Sequence, residues 1–484
     1  DHLGAESQMS FQRRRFLKAL SAGGLAYAVG RTAGTTFGQM SGVGGFADYK
    51  ALVCLFLFGG NDSWNMVVPT STAEYNAYAK SRGAGTSSSL AIDRDALLPI
   101  TSQGASAGDP TFGLHPAMVG VRDLFAAGKL AILPNVGPLI RPTTKDQYRN
   151  AYSLVHDLPP QLFSHNDQQD QWNSLRGRSM LTSGWAGRIA DVIASRLGDQ
   201  QMPMNVSLSG QTLLHASDTI YPYVMGANGV NLFQGLDVDK TRNPYGWEFN
   251  AGRKESIEGV LSATMASRDS SYYHRGFAQV QQRALRYADR INQVLGEAYK
   301  FNALSDSDSS LSNLSRQLRT VARLISQRSK LSMSRQIFLV AAGGFDTHDY
   351  QLTDQPKLLA DVSKSIKAFY DAMSEIGMSE QVTLFTQSDF GRTLTSNGDG
   401  SDHGWGGVQL VSGGAVRGGR LYGQYPLLEI DGPLEIGGGS FIPTISSDQY
   451  AATLASWFGV TDADLPAVAP NVVNFSSRNL GFLV

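Results

Sequence analysis

Three apolar runs in this chain, each closed by a polar turn that carries an aspartate, constrain what it can fold into. Ala51 to Phe58 reads Ala-Leu-Val-Cys-Leu-Phe-Leu-Phe and leads into Gly59-Gly60-Asn61-Asp62-Ser63. Gln336 to Ala342 leads into Gly343-Gly344-Phe345-Asp346-Thr347-His348, and Gln381 to Thr386 leads through Gln387 into Ser388-Asp389-Phe390-Gly391-Arg392. The runs are too apolar for one-sided strands, so they suit a parallel sheet covered on both faces. Ligands of such open sheets collect in the crevice beyond the carboxyl ends of the strands. Three turns thus deliver Asp62, Asp346 and Asp389 to one edge, with the glycines at 59 and 60 allowing a tight turn that leaves Asp62 exposed. Asp402-His403-Gly404 follows, and the ordering reads as a metal-centred site on an α/β sheet.

The rest of the chain organises around these runs. A first α/β portion spans about 48–200, with a strand at Leu130 to Pro134 and helices around 116–127 and 167–197. From Met204 to Gly235 apolar and polar residues alternate between glycines and asparagines, which predicts a β-hairpin excursion. Helical periodicity covers 272–301 and 311–332, separated by the Ser/Asp-rich turn 305–310, and predicts two long helices inserted between core halves at 201–334. The α/β pattern resumes over 335–484, with a helix at about 354–376, a strand near 408–412 and a terminal helix at about 447–458.

Arg13-Arg14-Arg15-Phe16-Leu17-Lys18, followed by the apolar stretch from Ala19 to Val29, has the layout of a twin-arginine export signal within residues 1–34. Met9 fits as the natural start. Such signals are receptor-read addresses, and the expected location is the periplasm or outside the cell, reached through the twin-arginine export machinery. That route carries folded proteins, which suits a chain that must acquire a metal first. No later apolar segment approaches the roughly 18 residues of a membrane span. Cys54 is the single cysteine of 484 residues, so no intramolecular disulfide forms and the core alone must stabilise the fold. With 42% hydrophobic residues that core can be large, and a net charge of -1 argues against nucleic acid as a partner.

Beyond these readings, Gly59-Gly60-Asn61-Asp62-Ser63-Trp64-Asn65-Met66, Leu114-His115-Pro116, Ser164-His165, Gly184-Trp185-Ala186-Gly187-Arg188, Gly344-Phe345-Asp346-Thr347-His348, Ser388-Asp389-Phe390-Gly391-Arg392-Thr393 and Asp402-His403-Gly404 resemble an exported bacterial family. It is domain-of-unknown-function family 1501, of the alkaline-phosphatase-like superfamily that also contains sulfatases. The resemblance implies a three-layer α/β/α core with a mostly parallel sheet. It also implies a metal-dependent phosphatase, sulfatase or phosphodiesterase fold, with Asp62, Asp346, His348, Asp389 and His403 as metal ligands. That shell lacks thiolate and suits zinc or manganese, with calcium or magnesium as harder alternatives, in one or two copies. Two departures stand out. Phe390 replaces the histidine of an Asp-His pair, so one metal, or a site completed by His165 or His115, becomes an alternative. No Cys-x-Pro-x-Arg sequence is present, which argues against the usual sulfatase mechanism.

Ser164 opens a predicted helix whose amides could receive an anion, and it reads equally as nucleophile and as N-cap, with Asp167 three residues on. Ser63 is a weaker alternative. His165 is a catalytic candidate beside it, and Arg392 could grip a substrate oxyanion or orient Asp389. Paired surface histidines are the bland reading of His348 and His403, but two such loops after two strands favour metal. His115, His156, His215 and His274 read as structural or exposed. The expected function is hydrolysis of an anionic phosphate or sulfate ester, on an envelope glycan or a small molecule. A catalytically reduced binding or assembly protein and a transferase of phosphoryl-linked groups are the alternatives.

Overall fold

The computed structural model describes residues 45–106, 109–153, 156–177, 182–198, 200–230 and 251–484; the expected export signal lies outside the described residues. In chain order the strands are β1 (Lys50–Leu57), β2 (Val67–Pro69), β3 (Leu98–Ile100), β4 (Phe112–Leu114), β5 (Leu130–Gly137), β6 (Asn205–Ser207), β7 (Tyr223–Val224), β8 (Arg335–Ala342), β9 (Val382–Ser388), β10 (Arg392–Ser396), β11 (Ser401–His403), β12 (Gly407–Gly413), β13 (Arg420–Leu421) and β14 (Ile445–Ser446). Nine of them build one sheet in the order β13-β5-β12-β9-β1-β8-β6-β7, with β14 also against β5. All its pairings are parallel except those of β12, which runs against both β5 and β9. β2, β3 and β4 form a small separate sheet, and β10 and β11 a two-stranded ribbon.

The three apolar runs are the three central strands. β1 lies between β8 and β9, and alternate residues of β1 feed two different cores: Ala51, Val53, Leu55 and Leu57 on one face, Leu52, Cys54 and Phe56 on the other. That is why the run shows no polar alternation; neither face meets water. The first face is covered by helices Val119–Ala126, Asn313–Ser326 and Gln351–Glu375, through residues such as Leu124, Leu318 and Ile366. The second is covered by His165–Ser174, Trp185–Ile193 and Ser447–Phe458, through Trp172, Ile189 and Tyr450. The result is the expected α/β/α arrangement with a mostly parallel sheet. Helix Ser447–Phe458 falls where the sequence places it because Ser446 and Gln449 form a capping box and Gly459 ends it at φ 119°.

Two expectations are corrected. In its described part the segment 204–235 is not a hairpin: β6 and β7 pair parallel to each other, and β6 pairs parallel to β8. The chain between them crosses over through the 3-10 turn Leu213–His215 instead of reversing. The long helices expected over 272–301 and 311–332 are Tyr272–Gly296 and Asn313–Ser326, and both lie within the compact unit Gly45–Val484. Gln317, on helix Asn313–Ser326, exchanges hydrogen bonds of 3.0 Å with both the carbonyl and the amide of Ala341 at the end of β8. The helix expected over 167–197 is two, the first ending at Leu175 in the left-handed region with φ 54°.

Burial pushes the His215 imidazole, in the crossover turn, down to about 3. The unfolded chain takes up a proton near pH 6.5, whereas the folded protein resists protonation until about pH 3. Stability from this group is therefore complete above pH 6.5 and is lost as pH falls toward 3, by about 2 kcal/mol between pH 7 and pH 5. Urea denaturation midpoints at the two pH values should show a drop that His215→Phe reduces by that amount; an unchanged pH difference in the variant would refute the assignment.

Candidate metal centre

Because β1, β8 and β9 run in one direction, the turns after them meet at one edge; because β12 runs the other way, the residues just before it arrive at that same edge. This brings Asp346, Asp389 and His403 together although they are far apart in the chain. The turn after β1 passes so close beneath them that side chains are excluded. A Cβ on Gly59, at φ 114°, would lie 2.3 Å from the Asp346 amide nitrogen, and one on Gly60, at φ 81°, would lie 2.3 Å from the Phe390 ring.

Each of three imidazoles at this edge is tied at Nδ1 by an oxygen. His403 Nδ1 lies 2.7 Å from the carbonyl of Phe163, which can only accept, so Nδ1 carries the hydrogen. His165 Nδ1 lies 2.6 Å from the buried carboxylate of Asp389. His348 Nδ1 lies 3.1 Å from Asp402. With Nδ1 donating, each ring in its neutral form presents Nε2 as a lone pair, and all three Nε2 atoms turn toward Asp346. They lie 3.4 Å (His165), 3.2 Å (His348) and 3.4 Å (His403) from its carboxylate oxygens. His348 and His403 also bring their Nε2 atoms within 2.9 Å of each other, a contact between lone pairs that only a proton or a cation between them makes attractive. Ligand atoms of His165, Asp346 and His403 all fall within 4.8 Å of one another. Donors around a tetrahedral zinc sit roughly 3.3 Å apart, given bonds of about 2.0–2.1 Å, so His165, Asp346 and His403 are grouped closely enough to share a metal ion, with the His348 Nε2 adjoining them.

Electrostatics agree with that donor set. Burial alone would raise Asp346, but Arg392, aided by His165 and His348, holds its carboxyl below the usual range and keeps it anionic. Burial pushes His403 down, against the pull of the Phe163 carbonyl, which favours the neutral, ligating form. Asp346 and His348 are 47% and 39% exposed, so the cluster opens to solvent on one side. The Phe390 ring packs 4.8 Å from His165 and 4.5 Å from His403 and walls the site where the resemblance placed a further imidazole.

The remaining expected residues take other parts. Asp62 is not exposed; its carboxylate is fully buried, gripped by Arg82 Nη2 at 2.6 and 2.7 Å, by the Trp64 amide at 3.1 Å and by Gln351. With those donors in place it ties the turn to helices Thr72–Ser81 and Gln351–Glu375 and is not a ligand in this arrangement. Asp389 likewise acts through another residue: its Oδ2 receives His165, the Gly59 amide at 3.2 Å and Gln169 at 3.1 Å, while its buried Oδ1 has no partner among the described residues. Arg392 neither faces outward nor orients Asp389. Its fork is spent on the carbonyls of Gly59, Gly60, Phe345 and Ser401 and on Asp346.

Ser164 occupies the N-cap of helix His165–Ser174 without capping it by side chain; its hydroxyl donates instead to Asp167 at 2.6 Å. His115 lies outside the cluster, its Nδ1 receiving the Ala117 amide, and burial lowers it to about 4. Three participants had no assigned role in the sequence reading. Asp402 was visible beside His403; Gln169, one turn after His165, was not. The Phe163 carbonyl is aimed by a left-handed backbone at φ 72°, which no residue type announces.

Removing the Asp62 carboxylate leaves Arg82 as an unpaired buried charge. Asp62→Ala should therefore lose about 3–5 kcal/mol in denaturant titration, and the pair Asp62→Leu with Arg82→Met should recover most of it; a single variant as stable as the parent would show that the ion pair holds nothing.

Among solved structures, the chain is similar to Ps i-CgsB in complex with k-i-k-neocarrahexaose, with a TM-score of 0.34 and 9% identity over 88% of this chain and 77% of that one. The PsFucS1 sulfatase from Pseudoalteromonas sp. gives a TM-score of 0.27 at 10% identity, over 87% of this chain and 69% of that one. Likenesses at this level say nothing of activity. No curated protein matches the sequence. Residues 49–431 match the family described as Protein of unknown function (DUF1501), and the chain belongs to that family.

Proposed function

We propose that this chain is an exported metal-dependent hydrolase of phosphate or sulfate esters. The observation that carries the reading is the convergence of three imidazoles, each oriented by an oxygen at Nδ1, on the single carboxylate of Asp346. His165, Asp346, His348 and His403 are the residues that would hold the ion. A divalent cation there would supply Lewis-acid polarisation of an ester oxygen. Around it, Asp389 fixes the His165 ring, Asp402 the His348 ring and Arg392 the Asp346 carboxylate. Ser164 stands next to His165 at the start of a helix whose first amides favour an anion, and Asp167 is placed to take its proton. Either that hydroxyl or a water is the nucleophile in this reading. Because Arg392 is committed to carbonyls and Asp346, it steadies the site and not the substrate.

Export is part of the proposal and rests on residues 13–29. None of the described helices is long and apolar enough to cross a membrane. Lysines at both Arg13 and Arg14 should hold the folded protein in the cytoplasm; secretion of that variant at the normal level would remove the twin-arginine assignment.

One observation favours a second reading, a binding or assembly protein that keeps the metal and has lost turnover: Phe390 packs its ring against two of the three imidazoles. Metal analysis by inductively coupled plasma mass spectrometry, with a phosphate- and sulfate-ester panel, separates the two. Asp346→Ala should lose both metal and activity and stay folded, and Asp389→Asn should weaken metal binding about 10–100-fold. Metal content unaltered by Asp346→Ala would defeat both readings, whereas full metal with no turnover and a co-purifying partner would select the second.

A further inference from the structure

A cavity of about 710 Å³ lies at the β6–β7 end of the sheet, apart from the metal centre, between the chain leading into β6, the crossover after it and helix Tyr272–Gly296. That volume falls in the range of roughly 300–1,000 Å³ typical of small-molecule sites. Much of its wall is apolar and adaptable: Met202 and Met204 on one side, and Tyr223 and Tyr287, packed edge to face at 6.0 Å, on the other. Arg283 is the one formally charged residue on the described wall, and its guanidinium has no hydrogen bond or ion pair among the described residues. Gln200 Nε2 and both ring nitrogens of His215, also on the wall, are buried without hydrogen-bond partners among the described residues.

We infer that this cavity binds a carboxylate carried on an acyl or aromatic body. An unpaired guanidinium beside an apolar wall attracts an anion more strongly than it would in open water, and its planar fork matches a carboxylate. The methionine and tyrosine side chains take the apolar body, and Gln200 and His215 offer polar atoms that no other described residue uses. The same surface continues onto helix Tyr272–Gly296, where Phe277 and Val280 are exposed at 64% and 50%, so an extended body has apolar surface to follow.

The test is a fluorescence titration with 1-anilinonaphthalene-8-sulfonate as probe, followed by displacement with octanoate or with the neutral octanol. Saturable one-to-one binding and displacement by octanoate at about tenfold lower concentration than octanol are expected. Arg283→Gln should remove that preference, and Ala284→Trp, an exposed helix position that lines the cavity, should abolish probe binding. Asp346→Ala should bind the probe as the parent does, because the cavity is separate from the metal centre. No saturable binding, equal displacement by the two compounds in the parent, binding unchanged in both cavity variants, or loss of binding in Asp346→Ala would each overturn the inference.

Discussion

Arg392 is the contact on which the site depends. From one buried guanidinium it reaches the turn after β1 through the carbonyls of Gly59 and Gly60, the turn after β8 through Phe345 and Asp346, and β11 through Ser401. Backbone carbonyls at strand ends are left over when parallel strands stop, and a positive fork that satisfies four of them does the work that water would do at an open edge. Its fifth partner, Asp346, is the carboxylate toward which the imidazoles turn. The geometry of the cluster is thus inherited from the way three loops are clamped, not from any one of them.

Around that clamp, carboxylates divide the labour by burial. Asp62 and Asp389 are both fully buried, and both spend their charge on orienting protein groups: Asp62 on Arg82, Asp389 on His165. Asp346 and Asp402, which reach solvent, are the ones left at the surface of the cluster. A buried carboxylate has to be compensated by donors wherever the chain can supply them, so depth at the sheet edge decides which aspartate faces a ligand and which supports one.

Much of this was legible in the sequence, for a physical reason. Strands buried on both faces leave an uninterrupted apolar signal, and β1, β8 and β9 were read within a residue or two of their bounds. Asp346, His348 and His403 were likewise readable, as polar residues in glycine-rich turns after such strands. The fates of Asp62 and Arg392 were not, because each depends on tertiary partners: Arg82 at the end of a helix for the first, a set of carbonyls for the second. His165 stands out beside Ser164 and as one of two histidines that could complete the site, but what places it there instead of His115 is Asp389, more than two hundred residues away. β6 and β7 escaped because strands of three and two residues carry too little pattern to show their direction.

The position of β1 has a kinetic consequence. It is the first strand among the described residues, yet it occupies the middle of the sheet, between partners that begin at Arg335 and Val382. Its two sides stay unpaired during synthesis until those partners have left the ribosome, and His403 comes later still. Pairings this non-local form slowly and leave apolar edges open in the meantime. Nascent β1 is therefore a segment that a chaperone would have to shield, and a metal ion could find its complete set of donors only on a chain already finished and closed.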